Sequence, residues 1–226
     1  MQDARSSRTS ARRRTGFLRA VAYLLVIAGG AALGWCAAMI VDGQMAQWVA
    51  RQQLEKTRSD ADASRNPPYL PLAKRSLVPP ENGTPLAELS IPRIGLSVVV
   101  LQGSDEHTLR QGVGHIESTP LPGESGNVGL AGHRDSFFRP LRNVQVGDDI
   151  MLETPAGNVH YRVSSYRIVS PSEVSVIHPT SDPVLTLVTC YPFYFVGAAP
   201  DRFVVRANLV DDRRPARGQP ASADAR

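Results

Sequence analysis

Seven short segments rich in Val, Ile, Leu, Thr or Tyr follow one another between residues 86 and 210. Gly, Pro, Asn or Asp interrupts them at short intervals, which is the pattern of β-strands joined by tight turns. No long segment of helical period interrupts this region, and Thr154–Asn158 has the composition of a hairpin turn. Such a succession predicts an all-β domain, either a closed barrel or a sandwich. The segments are LAELSIPRIG, LSVVVLQG, NVGLAGH, DIMLET, VHYRVSSYRIV, PVLTLVTC and RFVVRANLV.

A run of 22 residues without a charge, Ala20–Val41, precedes this region. As a helix it would span roughly 30 Å of hydrocarbon, and it therefore predicts one N-terminal transmembrane helix. A cleaved signal peptide is the alternative, although its apolar region usually covers only about 7–15 residues. Arginines lie before the run and Asp42 follows it. By the positive-inside rule we expect a single-pass protein of the cell membrane, with a cytoplasmic N-terminus and an extracytoplasmic folded domain.

Composition divides the chain into five segments. Residues 1–19 are expected to be a basic cytoplasmic segment, and 20–41 the transmembrane helix. Residues 42–85 are expected to form a juxtamembrane helix and a Pro-rich spacer that holds the domain off the bilayer. Residues 86–210 form the predicted folded domain. The tail 211–226 is polar with few apolar residues and is expected to be disordered.

The net charge of +4 is located at the N-terminus. The first 19 residues carry +5, which leaves −1 for the remainder of the chain. A nucleic-acid-binding protein would carry its basic patch on the folded domain. Nucleic-acid binding is therefore excluded, and the basic segment is assigned to the membrane surface.

Cys190 ends an apolar strand, a position better suited to reaction than the interior of an apolar element. The other cysteine, Cys36, lies inside the apolar run, so no disulfide is expected. Cysteine catalysis also requires a proton donor and a group that stabilises the oxyanion. His133, in GLAGHRD, again ends an apolar strand and is the best-placed histidine, with His115 in GVGH as its rival. The remaining histidines, interpreted as ordinary loop or sheet residues, are His107, His160 and His178.

Three blocks of sequence together resemble the signatures of sortases. They are GHRDSFF at 132–138, TLVTC at 186–190 and the R-x-V-V-x-A pattern of Arg202–Ala207. Cys190 follows His133 by 57 residues and Arg202 follows Cys190 by 12, and this order and spacing also agree with the family. The block CYPFYFVGAAPDRF is most similar to class D sortases, and a related group from Gram-negative bacteria shares its CYPF start.

The resemblance, which covers roughly residues 86–208, implies a closed eight-stranded β-barrel with a Cys–His–Arg site. Cys190 would be the nucleophile, and His133 the general acid and later the base. Arg202 would position the substrate and stabilise the oxyanion. Thr189 matches a family position that helps to bind the substrate or to shape the oxyanion hole.

The resemblance also implies a reaction and its partners. Sortases cleave an LPxT-type sorting motif near the C-terminus of a secreted protein and hold the fragment as a cysteine thioester. They then transfer it to an amine of the cell envelope or of a pilin. Class D members typically favour an LPxTA-like motif over LPxTG.

No cofactor or metal is expected, because neither C-x-x-C nor H-E-x-x-H occurs in the chain. Some sortases bind calcium with loop carboxylates, but the sequence gives no position for such a site.

Two other functions are alternatives to this prediction. One is a different cell-wall cysteine enzyme, either an L,D-transpeptidase or a papain-like hydrolase. The S-x-G-C-x-R type block of the former is absent, and the latter places its cysteine before its histidine. The other is a non-catalytic membrane-tethered β-domain, against which the intact His, Cys and Arg blocks count.

Overall fold

The computed structural model describes residues 3–64, 79–194 and 197–210. Most of the predicted Pro-rich spacer and all of the predicted disordered tail lie outside these described residues. The chain divides into two compact units, Met1–Met45 and Ala46–Arg226, with the boundary inside the first helix.

One long helix precedes a series of short strands. Helix α1 spans Asp3–Ser64, and the short helix α2 spans Glu106–Gln111. Turns of 3-10 helix connect other elements at Pro92–Ile94, Arg139–Asn143 and Val174–Ile177. The strands are β1 (Pro85–Ile91), β2 (Leu96–Gln102), β3 (Val113–His115), β4 (Asn127–Ala131), β5 (Asp149–Thr154), β6 (Gly157–Val169), β7 (Val184–Tyr191) and β8 (Asp201–Leu209).

The eight strands close into a barrel in the order β1-β2-β3-β4-β7-β8-β6-β5. Strand β5 pairs back onto β1, so the sheet has no open side at this point. The pairs β2–β3 and β4–β7 are parallel. The prediction of a closed eight-stranded barrel is therefore confirmed, and the sandwich alternative is wrong.

Alternating apolar residues fill the barrel interior. On β1, for example, Ala87, Leu89 and Ile91 are fully buried, while the residues between them are partly exposed. This period of two is what a strand with one core-facing side requires. Burial of these side chains supplies the main favourable free energy of the fold. The largest fully buried side chains include Tyr161, Phe138, Leu89, Ile91, Leu130, Leu141, Ile150, Leu152, Leu185 and Leu187.

The predicted hairpin at Thr154–Asn158 joins β5 to β6. Thr154 pairs with Gly157, and its hydroxyl donates to the Gly157 carbonyl at 2.8 Å. The same oxygen accepts a hydrogen bond from the N–H of Ala156 at 3.1 Å. Gly157 has a φ of 142°, which a residue with a side chain rarely adopts. The turn residues thus fix the register of the hairpin, as their composition predicted.

The part of α1 in the first unit exposes its apolar side chains. Tyr23, Leu24, Val26, Leu33 and Trp35 are all mostly exposed. Over the described residues, no helix is both long enough and apolar enough to cross a membrane.

The last part of α1, residues 46–64, belongs to the second unit, and we call it the helical arm. Its Ala50 and Leu54 are buried, and Ala50 packs with Val99 and Leu101 of β2. The second unit therefore includes the helical arm in addition to the predicted domain of residues 86–210.

Candidate active site

Cys190 and Arg202 lie directly opposite each other on neighbouring antiparallel strands. Cys190 is the penultimate residue of β7, Arg202 is the second residue of β8, and the two are paired in the strand register. Side chains of such a pair project to the same face, with Cβ atoms about 4.5–5.5 Å apart. Cys190 is a half-buried free thiol. The strand pairing thus brings the predicted nucleophile and the predicted cation to one face of the barrel.

Strand alternation decides which face each of these side chains occupies. Leu185 and Leu187 point into the core and are fully buried, and Thr189 continues this inward face. Cys190 therefore projects from the outer face. On β8, Phe203 belongs to the core, so Arg202 likewise projects outward. Cys190 and Arg202 are thus presented on the outer face, while neighbouring residues of the same strands are anchored in the core.

The guanidinium of Arg202 is oriented by backbone carbonyls. Its Nη1 donates hydrogen bonds to the carbonyl oxygens of Asp201 at 3.0 Å and Ala199 at 3.4 Å. Carbonyl oxygens carry no formal charge, so these bonds hold the group without neutralising it. The positive charge can then act on negative charge that develops on a substrate oxygen.

Thr189 supports the segment that carries His133. Its side chain is 3% exposed, and its hydroxyl donates to the carbonyl oxygen of Gly132 at 2.7 Å. The N–H of Gly132 donates in turn to the carbonyl of Val188 at 3.2 Å. These two bonds fasten the end of β4 to the end of β7, at the residue before His133 and at the two residues before Cys190. The position predicted to bind substrate thus lies beneath the site and contacts the histidine loop.

Gly132 and Phe138 fix the loop that follows β4. A Cβ on Gly132 would lie 2.8 Å from the ring of Phe138, which is fully buried in the core. The Phe138 N–H donates to the carbonyl oxygen of His133 at 3.1 Å. The glycine therefore allows the aromatic anchor to pack directly below the loop, and the anchor holds the backbone of His133.

Arg134 joins the histidine loop to the loop after Cys190. Its Nη1 donates to the carbonyl of Pro192 at 3.0 Å, and its Nη2 donates to the carbonyl of Gly197 at 2.9 Å. The loop that connects β7 to β8 is thereby tied to the segment bearing His133. No local sequence pattern indicates these bonds, since the two loops are far apart along the chain.

Glu106 approaches the imidazole of His133. One carboxylate oxygen, Oε2, lies 3.9 Å from His133 Nε2. Glu106 is the first residue of α2, and its side chain is 68% exposed, whereas that of His133 is 32% exposed. The structure thus adds an acidic group to the predicted set of His133, Cys190 and Arg202.

An aromatic cluster surrounds the paired strand ends. Phe203 lies 5.3 Å from Phe193, 5.6 Å from Tyr166 and 6.3 Å from Tyr191, measured between ring centroids. Two of these rings belong to residues that directly follow Cys190 and Arg202. Aromatic pairs at such distances stabilise their neighbourhood beyond simple burial. The cluster therefore stabilises the end of β7 and the start of β8, from which Cys190 and Arg202 project.

His115, the rival histidine, has a structural environment. It is 1% exposed, with Nδ1 2.9 Å from the Gln102 carboxamide and Nε2 2.9 Å from the Pro120 carbonyl oxygen. Burial lowers the pKa of this imidazole because the charged form is poorly solvated there. His115 is thus used to join β2, β3 and the following loop.

The other histidines are also held by neighbours outside the predicted site. His107 contacts Gln111 on α2, and His160 contacts Asp149 across the β5–β6 hairpin at 2.9 Å. His178 ends the 3-10 turn Val174–Ile177.

A surface groove of about 730 Å³ lies where β7 begins and β8 ends. Cys190 and Arg202 lie at the other ends of the same strands, so this groove is separate from them. Among the described residues, no group of three or more His, Cys, Asp or Glu side chains could hold a metal ion. The groove is lined by Thr180, Ser181, Asp182, Pro183, Val184, Arg206, Asn208 and Leu209.

Comparison with known proteins finds one family throughout. A family model described as the sortase domain matches residues 89–210. Sortase D of Bacillus subtilis is 32% identical over 162 residues, which cover 70% of this chain and 77% of that protein. A Sortase D5 transpeptidase from Clostridium perfringens has a similar structure, with a TM-score of 0.57 and 31% identity over 71% of this chain and 99% of the other. Sortase A of Listeria monocytogenes follows with a TM-score of 0.52 and 29% identity over 56% of this chain and 88% of the other.

The extent of these matches confirms the resemblance that the three sequence blocks indicated, including the similarity to class D. Sortases are cysteine transpeptidases, and the barrel described above carries a cysteine, a histidine and an arginine in the family's order. The chain belongs to the sortase family.

Proposed function

We propose that this sortase uses Cys190 as nucleophile, His133 as general acid and base, and Arg202 as the cation that stabilises the oxyanion. The observation that carries the proposal is the direct pairing of Cys190 with Arg202 on adjacent strands. The Thr189–Gly132 bond between β7 and the end of β4 supports the placing of His133 beside them.

The first half of the reaction is acylation of Cys190. The thiolate attacks the carbonyl carbon of the Thr residue in the sorting motif and forms a tetrahedral intermediate. Arg202 stabilises the negative oxygen of this intermediate, as oxyanion donors do in other acyl-transfer enzymes. His133 donates its proton to the leaving nitrogen, the C–N bond breaks, and a thioester on Cys190 remains.

The second half is transfer to an amine. His133, now neutral, accepts a proton from the incoming amine, whose nitrogen attacks the thioester carbonyl. The new C–N bond forms, the C–S bond breaks, and Cys190 leaves as a thiolate. The site is thereby restored, with its proton again on His133.

The substrates are proposed from membership of the family. The acyl donors are secreted proteins with a C-terminal LPxT-type sorting signal, and the similarity to class D favours an LPxTA-like motif. The acceptor is an amine of the cell envelope or of a pilin.

We further propose that Ala20–Val41 anchors the protein in the cell membrane. The run carries no charge, is preceded by six arginines, and exposes apolar side chains along its described part. Its length as a helix suits one crossing, with the N-terminus cytoplasmic and the catalytic unit outside. A reporter that functions only outside the cytoplasm, fused after Arg226, should be active, and an inactive fusion would contradict this orientation.

Catalytic variants test the assignment directly in the full-length chain. With a fluorogenic peptide that contains an LPxTA motif, Cys190→Ala should abolish cleavage and remove the thioester adduct detectable by mass spectrometry. His133→Ala should reduce turnover by roughly 10²- to 10⁴-fold, since the amine would leave without a proton. Arg202→Ala should cost roughly 10²- to 10³-fold, because an oxyanion donor is lost.

Two further variants serve as controls. Arg202→Lys should recover only part of the activity, because lysine keeps the charge but lacks the planar guanidinium. His107→Gln, on the exposed surface of α2, should retain activity close to that of the wild type. The proposed roles would be refuted if the Cys190→Ala variant still formed a thioester or if the His133→Ala variant had wild-type turnover.

A further inference from the structure

The position of Glu106 is fixed by the residues around it. The carboxylate of Asp105 accepts hydrogen bonds from the N–H groups of His107 at 2.9 Å and Thr108 at 3.1 Å, and from the Thr108 hydroxyl at 2.7 Å. These bonds, the Thr108 hydroxyl above all, hold the pKa of Asp105 below its ordinary value. Thr108 is itself 1% exposed. The start of α2 is therefore anchored, and the side chain of Glu106 projects from a fixed backbone.

The carboxylate of Glu106 and the imidazole of His133 face each other across a short gap. The distance of 3.9 Å between Oε2 and Nε2 exceeds a hydrogen bond, so the two atoms do not bond directly. A donor nitrogen can lie about 2.8 Å from both atoms without any displacement of either side chain. The gap thus fits one small hydrogen-bond donor between an acid and the proposed base.

The other carboxylate oxygen of Glu106 is only weakly engaged. Oε1 lies 3.7 Å from Arg110 Nε on the same helix, and both side chains are more than half exposed. Surface pairs of this kind are worth little in water. Glu106 therefore keeps its negative charge available to a ligand at the site.

The second half-reaction supplies a ligand with the right chemistry. A lysine-type amine has a pKa of about 10.4 in water, so at neutral pH nearly every acceptor arrives as an ammonium cation. Such a group donates hydrogen bonds, carries positive charge, and must lose one proton before it can attack the thioester. A carboxylate beside the base would concentrate this cation at the atom that takes the proton.

We propose that Glu106 is the residue that selects a cationic acceptor, by binding its ammonium group in the gap beside His133. The inference rests on the proposed function and adds to it the class of the second substrate. In the reaction, the bound ammonium transfers one proton to neutral His133 and attacks the thioester as a neutral amine. The C–N bond forms and the C–S bond breaks, the second proton of the nitrogen passes to bulk water, and Cys190 leaves as the thiolate, while Glu106 takes no proton.

The test compares two acceptors on the full-length chain. One is a lysine-containing tripeptide amide with a blocked N-terminus, which offers a cationic ε-amine, and the other is hydroxylamine, which is largely uncharged at neutral pH. Glu106→Gln should raise KM for the lysine acceptor about fivefold, because the variant loses an ion pair with the ammonium group and a partly exposed ion pair contributes about that much to binding. The rates of thioester formation and of hydroxylamine transfer should stay at the wild-type level.

Two more measurements make the test sharper. The KM of the wild type for the lysine acceptor should rise with added salt, because salt screens the attraction, and this dependence should weaken in Glu106→Gln. Glu106→Lys should disfavour the lysine acceptor further while hydroxylamine transfer continues.

Glu173→Gln is the matched control. Glu173 is an exposed glutamate before the 3-10 turn Val174–Ile177, near the start of β4, whereas His133 follows the end of β4. The variant should leave KM for both acceptors unchanged.

Three outcomes would overturn the proposal. If Glu106→Gln lowers transfer to lysine and to hydroxylamine equally, Glu106 positions His133 and does not select the acceptor. If KM for the lysine acceptor is unchanged, Glu106 plays no part in acceptor binding. Failure of the wild type to form a thioester from the LPxTA peptide would instead refute the proposed function, and this inference with it.

Discussion

At the scale of single residues, the proposed site depends on side chains that are buried beneath it. Thr189 is buried, yet the hydrogen bond of its hydroxyl joins the strand of Cys190 to the loop of His133. Gly132, in contact with Phe138, allows that loop to lie close to the core. The proposed catalytic groups on the surface are therefore positioned by polar and aromatic contacts directly beneath them.

Thr189→Val tests this positioning role. Valine has nearly the same shape but cannot donate to the Gly132 carbonyl, so the His133 loop should lose its attachment to β7. We expect kcat for peptide cleavage to fall at least severalfold, with a stability loss of about 1–3 kcal/mol for the unsatisfied carbonyl. Thr189→Ser retains the hydroxyl and should restore kcat. If Val and Ser variants have the same kcat, the hydrogen bond does not position the site.

At the scale of elements, the helical arm supplies hydrogen bonds where β2 and β3 are not yet paired. Pairing of β2 with β3 begins only at Val100 and Val113. Just before this point, the Gln47 carboxamide accepts from the N–H of Val99 at 2.8 Å and donates to the carbonyl of Gln111 at 2.6 Å. The side chain thus bridges two backbone groups that the short β3 leaves apart.

Ionic contacts continue the attachment of the helical arm along the barrel. Arg51 contacts Glu88 on β1, and Arg58 donates to Glu153 at 2.8 Å and to Asn158 at 2.6 Å. Together with the burial of Ala50 and Leu54, these contacts attach the helical arm to the barrel of the second unit.

Gln47→Ala should therefore destabilise the whole unit. Two hydrogen bonds to backbone groups disappear, and each contributes about 1 kcal/mol. We expect a lower Tm in thermal unfolding followed by circular dichroism. Gln53→Ala is the matched control, since Gln53 is an exposed glutamine of the same helix and gains the same helix propensity. Equal Tm values for the two variants would show that the Gln47 bridge contributes nothing.

At the scale of the whole molecule, closure of the barrel buries one titratable histidine. Burial lowers the pKa of His115, and this effect outweighs the opposite influence of Glu117 and Glu124. In the unfolded chain a histidine titrates near pH 6.5. The stabilising contribution of neutral His115 is therefore complete above about pH 6.5 and is lost as the pH falls, because the unfolded state then binds the proton first.

This linkage predicts the acid sensitivity of the protein. The free energy of unfolding, measured with urea, should decrease from pH 7.5 to pH 5.5 in the wild type. His115→Gln should show a smaller decrease over the same range, whatever its absolute stability. His107→Gln, which alters an exposed histidine, should keep the wild-type slope. A His115→Gln protein with an unchanged slope would refute the assignment.

The sequence alone determined seven of the eight strands, all except the three-residue β3, together with the hairpin at Thr154–Asn158 and the candidates His133, Cys190 and Arg202. Alternation of apolar residues and the choice of turn residues act over a few positions, so they can be recognised without a fold. The three blocks identified the family because each carries a reactive residue within its own local pattern. The choice of a closed barrel came from the resemblance, because the pattern alone left barrel and sandwich open, and the order of the strands came from the structure.

Only the tertiary structure decided which distant residues complete the site. Glu106 and His133 meet because β3 and β4 pair, and Gln47 reaches Val99, 52 residues away, because the helical arm lies against β2. Arg134 directly follows His133, and no local pattern indicates that it binds the carbonyls of Pro192 and Gly197. Such contacts depend on side-chain reach across a closed sheet, and local sequence patterns carry no information about which distant strands the barrel brings together.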